Sequence, residues 1–575
     1  MTSSINQIPE RCREAIDYAN QIALGEIDAS KLVHNGIDRF FDDIKRSEEG
    51  GVYHLDFAAA ERVMSFVEMM PHIKGPEAGK NLVLAPWQKF IYLNVFGWKD
   101  KETGFRRFRS TYTEVPRGNG KSTMVAPAAL YMLSADGEGG AEVYSAAVTR
   151  DQARIVFNAG RTMALRRAAF LKRAGVTTYQ NSVAQDKTAS MFQPLSSDAR
   201  TLDGLNIHLA ILDELAQHKT REVYDVIETA TGKRNQPLIW MITTAGPDQG
   251  GIGYEIHDYA EKVLKGVIKD DTFFTLIYSI DPGDDWTQPE AWRKANPNWG
   301  KSVIPDTITQ LAQRAMQVPS FQNAFLMKHL NIWTNASVGW LDSTRWSQQA
   351  LPIDEQEFIG EECMIGLDLA NKVDVAAKVK IFRRPNTLDV SSRHPYKYFI
   401  IPTLYLPRGT LKDKKNANYE GWVNGGHIVA TPGDVIDFGY IEDDILEDTR
   451  NFDVKGVPFD PWQATQLAQR MEAKTVPMVE FPATVRNFSE PTKEFEVLVR
   501  QGLLFHNNNP AFNWMVSNLV VEPDRKGNIF PRKEREDNKI DGPVAGIMAL
   551  AQWIFQIQEQ EFKSIYDDVT QTTVM

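Results

Sequence analysis

Val115-Pro-Arg-Gly-Asn-Gly-Lys-Ser-Thr123 decides how the first half of this chain is read. Residues 110–115, rich in Thr and Tyr, read as a short β-strand, and residues 122–133 read as a helix. A glycine-rich loop between a strand and a helix is built to hold phosphate. The backbone N–H groups of Gly118, Asn119 and Gly120 would surround phosphate oxygens at the helix N-terminus. Lys121 would reach the β- and γ-phosphates of ATP, and Ser122 would ligate Mg²⁺, with Thr123 completing the nucleotide-binding set. The pattern departs from the standard one at Val115, where a glycine is usual, and Pro127 removes one hydrogen bond inside the helix. Read alone, Gly-Lys-Ser would serve equally as a tight turn before a helix.

Two later segments shift that balance. Ile207-His-Leu-Ala-Ile-Leu-Asp-Glu214 is an apolar run ending in two carboxylates. Such a run is a buried parallel strand, and ligands bind beyond the carboxyl ends of such strands. Asp213 would hold the Mg²⁺ shell, and Glu214 would orient and deprotonate the attacking water. Leu238-Ile-Trp-Met-Ile-Thr-Thr-Ala-Gly246 is a second buried strand. Thr243 and Thr244 at its end either sense the γ-phosphate and couple its loss to the rest of the protein, or simply cap the strand.

At 575 residues the chain is too long for one ordinary domain. Two cysteines, Cys12 and Cys363, exclude a disulfide framework. The polar start does not resemble a signal peptide, and no apolar stretch is long enough to span a bilayer, so a soluble cytoplasmic protein with no membrane partner is expected. A net charge of −11 excludes a simple DNA-coating protein, so nucleic-acid contact must be local. Arg106, Arg107 and Arg109, and the run Arg161, Arg166, Arg167, Lys172 and Arg173, are the candidate basic patches.

Alternating strands and helices predict an α/β fold. Residues 1–80 read as a helical lead-in, and 81–335 as a doubly wound parallel sheet of the P-loop NTPase type with a helical subdomain at about 281–331. Residues 336–362 read as a connector, 363–558 as a second, mixed α/β domain, and 559–575 as a mobile tail.

Three carboxylates stand out in the second domain. Asp368 interrupts the apolar strand Ile365-Gly-Leu-Asp-Leu-Ala370, Asp460 follows Val457-Pro-Phe459, and Asp541 opens the final helix in Lys539-Ile-Asp-Gly-Pro543. An aspartate inside an apolar strand is costly unless something compensates it, and Mg²⁺, which prefers oxygen ligands, does so. Carboxylates from a first strand, a later strand and a C-terminal helix describe a ribonuclease-H-like nuclease site, where two metals serve an in-line phosphodiester displacement. Asp460 as a turn former and Asp541 as a helix-start carboxylate are the plainer readings. Asp374 and Asp537 are possible auxiliaries that read better as surface residues, and His506 and Asn518 read as structural.

With both sites in view, the chain resembles the large terminase subunit of tailed bacteriophages. The resemblance rests on 115–123, Ala199-Arg-Thr-Leu-Asp-Gly-Leu-Asn206, Ile211-Leu-Asp-Glu214, Asn296-Pro-Asn298, Asp368, Asp460 and Lys539-Ile-Asp-Gly542, and it runs from Trp87-Gln88 to the final helix. It implies an ATP-driven motor that packages double-stranded DNA into a procapsid, joined to an endonuclease that cuts concatemeric DNA with Mg²⁺ or Mn²⁺. It implies the portal protein and a small terminase subunit as partners, and a homo-oligomeric ring, a pentamer, on the procapsid. The expected location is the host cytoplasm at the procapsid portal, not the mature virion. Gln88 is similar to the adenine-contacting glutamine of such loops, Arg117 to their loop arginine, and Arg200 to an arginine finger reaching a neighbouring subunit. A non-packaging P-loop helicase-nuclease, or a portal-docking adaptor with decayed sites, are the rival readings.

Overall fold

The computed structural model of the chain describes residues 8–195, 204–218, 220–334, 340–369, 374–386, 394–412, 417–533 and 538–561. The chain forms two compact units, Met1–Gln317 with Ala324–Thr334, and Val318–Asn323 with Asn335–Met575. Among the described residues no helix is long and apolar enough to cross a membrane.

The first unit is built on an eight-stranded sheet. Its order is Phe273–Ile277, Ser110–Glu114, Leu238–Thr243, Ile207–Asp213, Glu142–Ala146, Ser190–Pro194, Val183–Gln185 and Val176–Thr178. The first six strands pair in parallel and the last two in antiparallel fashion. Ile207–Asp213 and Leu238–Thr243 are buried along their whole length, as strands covered on both faces must be. Register pairs Glu114 with Thr243 and Asp213 with Ile242, so three strand ends finish side by side. The helix Lys121–Ser134 leaves this edge and passes through Pro127 without ending.

Three expectations need correction here. The N-terminal helices Glu10–Ala23, Lys31–Glu48 and Phe57–Glu68 are not a lead-in of their own. Cys12, Ala15, Ala19 and Ile22 form a helical-period stripe that shares one core with Phe90, Trp240 and Leu276, because an apolar stripe needs cover. Arg106 and Arg107 are not a surface patch. Both are buried, Arg106 against Asp136 at 3.1 Å and Arg107 against Asp43 at 2.8 Å and Asp271 at 3.0 Å. The strands Phe273–Ile277, Val176–Thr178, Val183–Gln185 and Ser190–Pro194 extend the sheet beyond the strands expected from the sequence.

In the second unit the sheet order is Val429–Thr431, Tyr396–Pro407, Ala376–Pro385, Glu362–Asp368, Asp453–Phe459 and Met478–Glu480, with Leu504–His506 also pairing Tyr396–Pro407. Glu362–Asp368, Ala376–Pro385 and Tyr396–Pro407 form an antiparallel meander; Asp453–Phe459 then joins Glu362–Asp368 in parallel. Residues 336–362 are not a bare connector. Trp340, Leu341 and Trp346 are buried in this unit's core, and the helix Ser343–Gln348 carries Trp346 onto His506, ring on ring at 4.0 Å. His506 Nε2 also meets the Trp346 carbonyl at 2.8 Å, so this histidine is structural. The final helix, Asp541–Glu561, lies directly on the sheet. A Cβ at Gly366 would stand 1.8 Å from the Ala545 carbonyl oxygen, a separation only glycine allows.

Candidate functional site

The loop after Ser110–Glu114 has the geometry of a phosphate cradle. Gly118 and Gly120 have φ of 90° and 82°, the left-handed region that glycine enters without cost. Gly120 is the N-cap of Lys121–Ser134, so Ser122 and Thr123, both half-buried, lie in its first turn. The Lys121 ammonium is held by the Val115 carbonyl at 2.9 Å and by the Thr244 hydroxyl. Burial lowers its proton affinity, partly restored by Glu214 and Asp213.

Asp213 ends its strand beside this lysine. Burial first, and then the Glu214 charge, push its carboxyl up to about 7. Glu214 follows with φ of 51°, a left-handed conformation that costs a non-glycine residue about 1–3 kcal/mol. Its Oε2 is buried and has no hydrogen-bond partner among the described residues. Such strain and such an orphaned oxygen fit a group held ready for a ligand or a water. Thr243 accepts a hydrogen bond from the Ala216 N–H at 3.0 Å. The two threonines therefore connect Lys121 to the segment just after Glu214.

The Asn296-Pro-Asn298 segment is locked onto the loop. The Asn119 amide donates to Asn296 Oδ1 at 2.9 Å, while its Oδ1 accepts the Asn298 N–H at 3.0 Å. Asn298 Nδ2 donates to the Asn119 carbonyl at 3.0 Å, and the Trp87 indole donates to Asn298 Oδ1 at 2.9 Å. Ser302 donates to the Gly118 carbonyl at 2.6 Å. The Arg117 N–H donates to the Lys328 carbonyl at 2.8 Å. Lys328 was not anticipated from the sequence; burial and the Arg117 charge lower its proton affinity, so it shares this cationic corner. Gln88 is buried at the same loop and accepts the Ala85 N–H at 3.0 Å; its Nε2 lies 3.6 Å from where a Gly120 Cβ would stand. Arg200 lies outside the described residues.

The second site lies at adjacent strand ends. Register pairs Leu367 with Phe459, so Asp368 and Asp460 emerge at adjacent strand ends, and the helix resting on Gly366 carries Asp541 near enough for its charge to act on Asp368. Burial drives the Asp368 carboxyl well above the usual range, and the charges of Asp541, Asp460 and Asp374 push it further. Burial, and then Asp374, push Asp541 up to about 6. Asp374 is thus not a plain surface residue; it belongs to this cluster, held by Lys539 at 2.6 Å and bonded to the Val375 N–H. Asp460 Oδ1 caps the helix Pro461–Glu472 through the Trp462 N–H at 3.2 Å. Asn518 supports the opening of the final helix through the Lys539 carbonyl at 3.0 Å. Asp537 lies outside the described residues.

The donor chemistry fits a hard divalent cation. All four groups are carboxylates, they repel one another, and Asp460 keeps a second oxygen beyond its cap. The expected trio is not preassembled, however: no three His, Cys, Asp or Glu side chains among the described residues stand close enough to hold an ion.

Residues 86–262 match the family model for the terminase large subunit ATPase domain, and residues 267–559 match that for the terminase large subunit endonuclease domain. The chain belongs to the terminase large subunit family. It is a phage DNA-packaging ATPase and endonuclease that uses nucleotide and divalent metal. Protein YmfN of Escherichia coli (strain K12) is 32% identical over 66% of this chain and 84% of its own length. The terminase large subunit of Enterobacteria phage HK97 is 26% identical over 87% of this chain and 96% of its own. The crystal structure of the HK97 large terminase covers 86% of this chain and 99% of its own, at 25% identity and a TM-score of 0.42. The terminase endonuclease match begins at 267, ahead of the strand Phe273–Ile277, which in this structure pairs with Ser110–Glu114 and completes the ATPase sheet.

Proposed function

We propose that ATP turnover runs at the first site with Lys121 on the β- and γ-phosphates, Gly118, Asn119 and Gly120 supplying backbone donors, and Ser122 and Asp213 on the magnesium shell. Gln88, Arg117 and Thr123 complete the nucleotide contacts. Glu214 takes the proton of the attacking water; its buried, unpartnered Oε2 is the observation that carries this reading. Thr244 touches Lys121 and Thr243 touches the segment after Glu214, which suits them to relay loss of the γ-phosphate. Arg200 is proposed as the finger contributed to a neighbouring subunit.

At the second site Asp368, Asp460 and Asp541 would hold Mg²⁺ or Mn²⁺. Bound there, the ion supplies Lewis-acid stabilisation and a low-pKa water for phosphodiester cleavage. The protein's own part is to keep the carboxylates poised: Lys539 neutralises Asp374, and the Asp460 cap fixes one oxygen and leaves the other to the ion. In the cell the chain is proposed to act on concatemeric double-stranded DNA as a pentameric ring at the procapsid portal, in the host cytoplasm, with the portal protein and the small terminase subunit.

Paired variants test the two assignments. Glu214→Ala is expected to lower ATP turnover by about 10²–10⁴-fold while ATP binding persists. Asp541→Ala is expected to abolish DNA cutting with ATP turnover intact. Normal turnover in the first, or wild-type cutting in the second, refutes the corresponding role.

A further inference from the structure

Of the thirteen tryptophans in the chain, Trp462 alone is exposed, at 93%; every other one is buried or half-buried. Indole gains more from burial than almost any side chain, so folding alone gives no reason to leave one in water. Its position is equally specific. Trp462 is the second residue of the helix Pro461–Glu472, behind a proline whose fixed φ suits a helix start. Its N–H is held by Asp460 at 3.2 Å, and strand register sets Asp460 beside Asp368. The indole is therefore tied by two residues of rigid backbone to the carboxylate cluster assigned to cutting. Cations also reach this rim: the charges of Lys539 and Lys533 both act on Asp541.

We propose that Trp462 is a DNA-contacting residue of the nuclease, its indole packing on the deoxyribose faces of the duplex beside the scissile phosphate. The charge balance favours this use. The cutting site is a cluster of carboxylates in a chain of net charge −11, so the phosphate backbone gains little from electrostatics there. A neutral aromatic face adds affinity without adding charge, and on deoxyribose it is indifferent to sequence, because every nucleotide presents the same sugar. The proposal rests on the assignment of Asp368, Asp460 and Asp541 as the cutting site.

The test uses the full chain, Mg²⁺ and a linear duplex. Trp462→Ala is expected to raise the KM for cutting about tenfold, with kcat within about twofold and DNA-independent ATP turnover unchanged. Trp462→Phe is expected to recover most of the loss. The slope of log KM against log salt should stay as in the wild type, because no phosphate contact is removed. The fraction of tryptophan fluorescence quenched by acrylamide should be smaller in Trp462→Phe than in the wild type, and duplex in Ca²⁺ should lower it in the wild type but not in Trp462→Phe. The proposal is overturned if Trp462→Ala cuts with wild-type KM, if the duplex gives no shielding, or if raising protein concentration alone shields the indole, which would make this face a contact between copies. Cutting by Asp541→Ala would instead refute the underlying site assignment, whatever Trp462 does.

Discussion

On the proposed assignment, Asp541 and Asp368 share a difficulty that would set the pH behaviour of cutting. Burial and neighbouring carboxylates raise both, Asp541 to about 6. A raised carboxyl pKa favours the protonated form, and a cation binds the deprotonated one, so metal affinity must fall as pH drops through this range. Cutting at subsaturating Mg²⁺ is expected to rise steeply between about pH 5 and 7 and to flatten when Mg²⁺ saturates; a rate independent of pH there contradicts the assignment. Folding carries the matching sign: the clustered carboxylates destabilise this unit above the ordinary carboxyl range and cease to do so when protonated. Residue types explain which positions could be read in advance. Lys121, Asp213, Asp368 and Asp541 were legible because each sits at a strand or helix end where its chemistry is out of place without a ligand. Asp374 was not, because Lys539, its partner, is 165 residues away. The amide interlock of Asn119 with Asn296 and Asn298 spans 177 and 179 residues and leaves no periodic trace. Arg106 and Arg107 looked like a charge run because their acidic partners lie 30, 64 and 164 residues away.

Elements were legible in proportion to their length and their burial on both faces. The buried runs Ile207–Asp213 and Leu238–Thr243, and the final apolar helix, announce themselves. Three-residue strands such as Val176–Thr178 and Val183–Gln185 carry too few residues for any period to show. The helix Ser343–Gln348 is equally short, and only its tryptophan hints that the stretch belongs to a core. The seat of the final helix on the strand Glu362–Asp368 yields a prediction at this scale. Gly366→Ala would place Cβ 1.8 Å from a backbone oxygen, so helix and strand must separate. A loss of about 3 kcal/mol or more is expected, above the usual range for overpacking because backbone rather than side chain must yield. Thermal unfolding would measure it, and an unchanged midpoint would mean that the helix does not rest there.

The whole molecule consists of two compact units, each with its own sheet and its own hydrophobic core. Units with separate cores are expected to unfold separately, as two transitions in calorimetry. A nucleotide analogue with Mg²⁺ should raise only the transition of the first unit, and Mn²⁺ alone chiefly that of the second, each by mass action on the folded form. One cooperative transition moved equally by both ligands would contradict this. The order of the two activities along the chain was visible from the motifs. The extent of each unit was not, since the first recruits the N-terminal helices and the second recruits residues around Trp346.

Because the carboxylate at the head of the last helix arrives beside Asp368 only through the bare backbone of Gly366, that position is a hinge of inheritance. Any descendant that gains a side chain there must also let the helix retreat, and Asp541 with it.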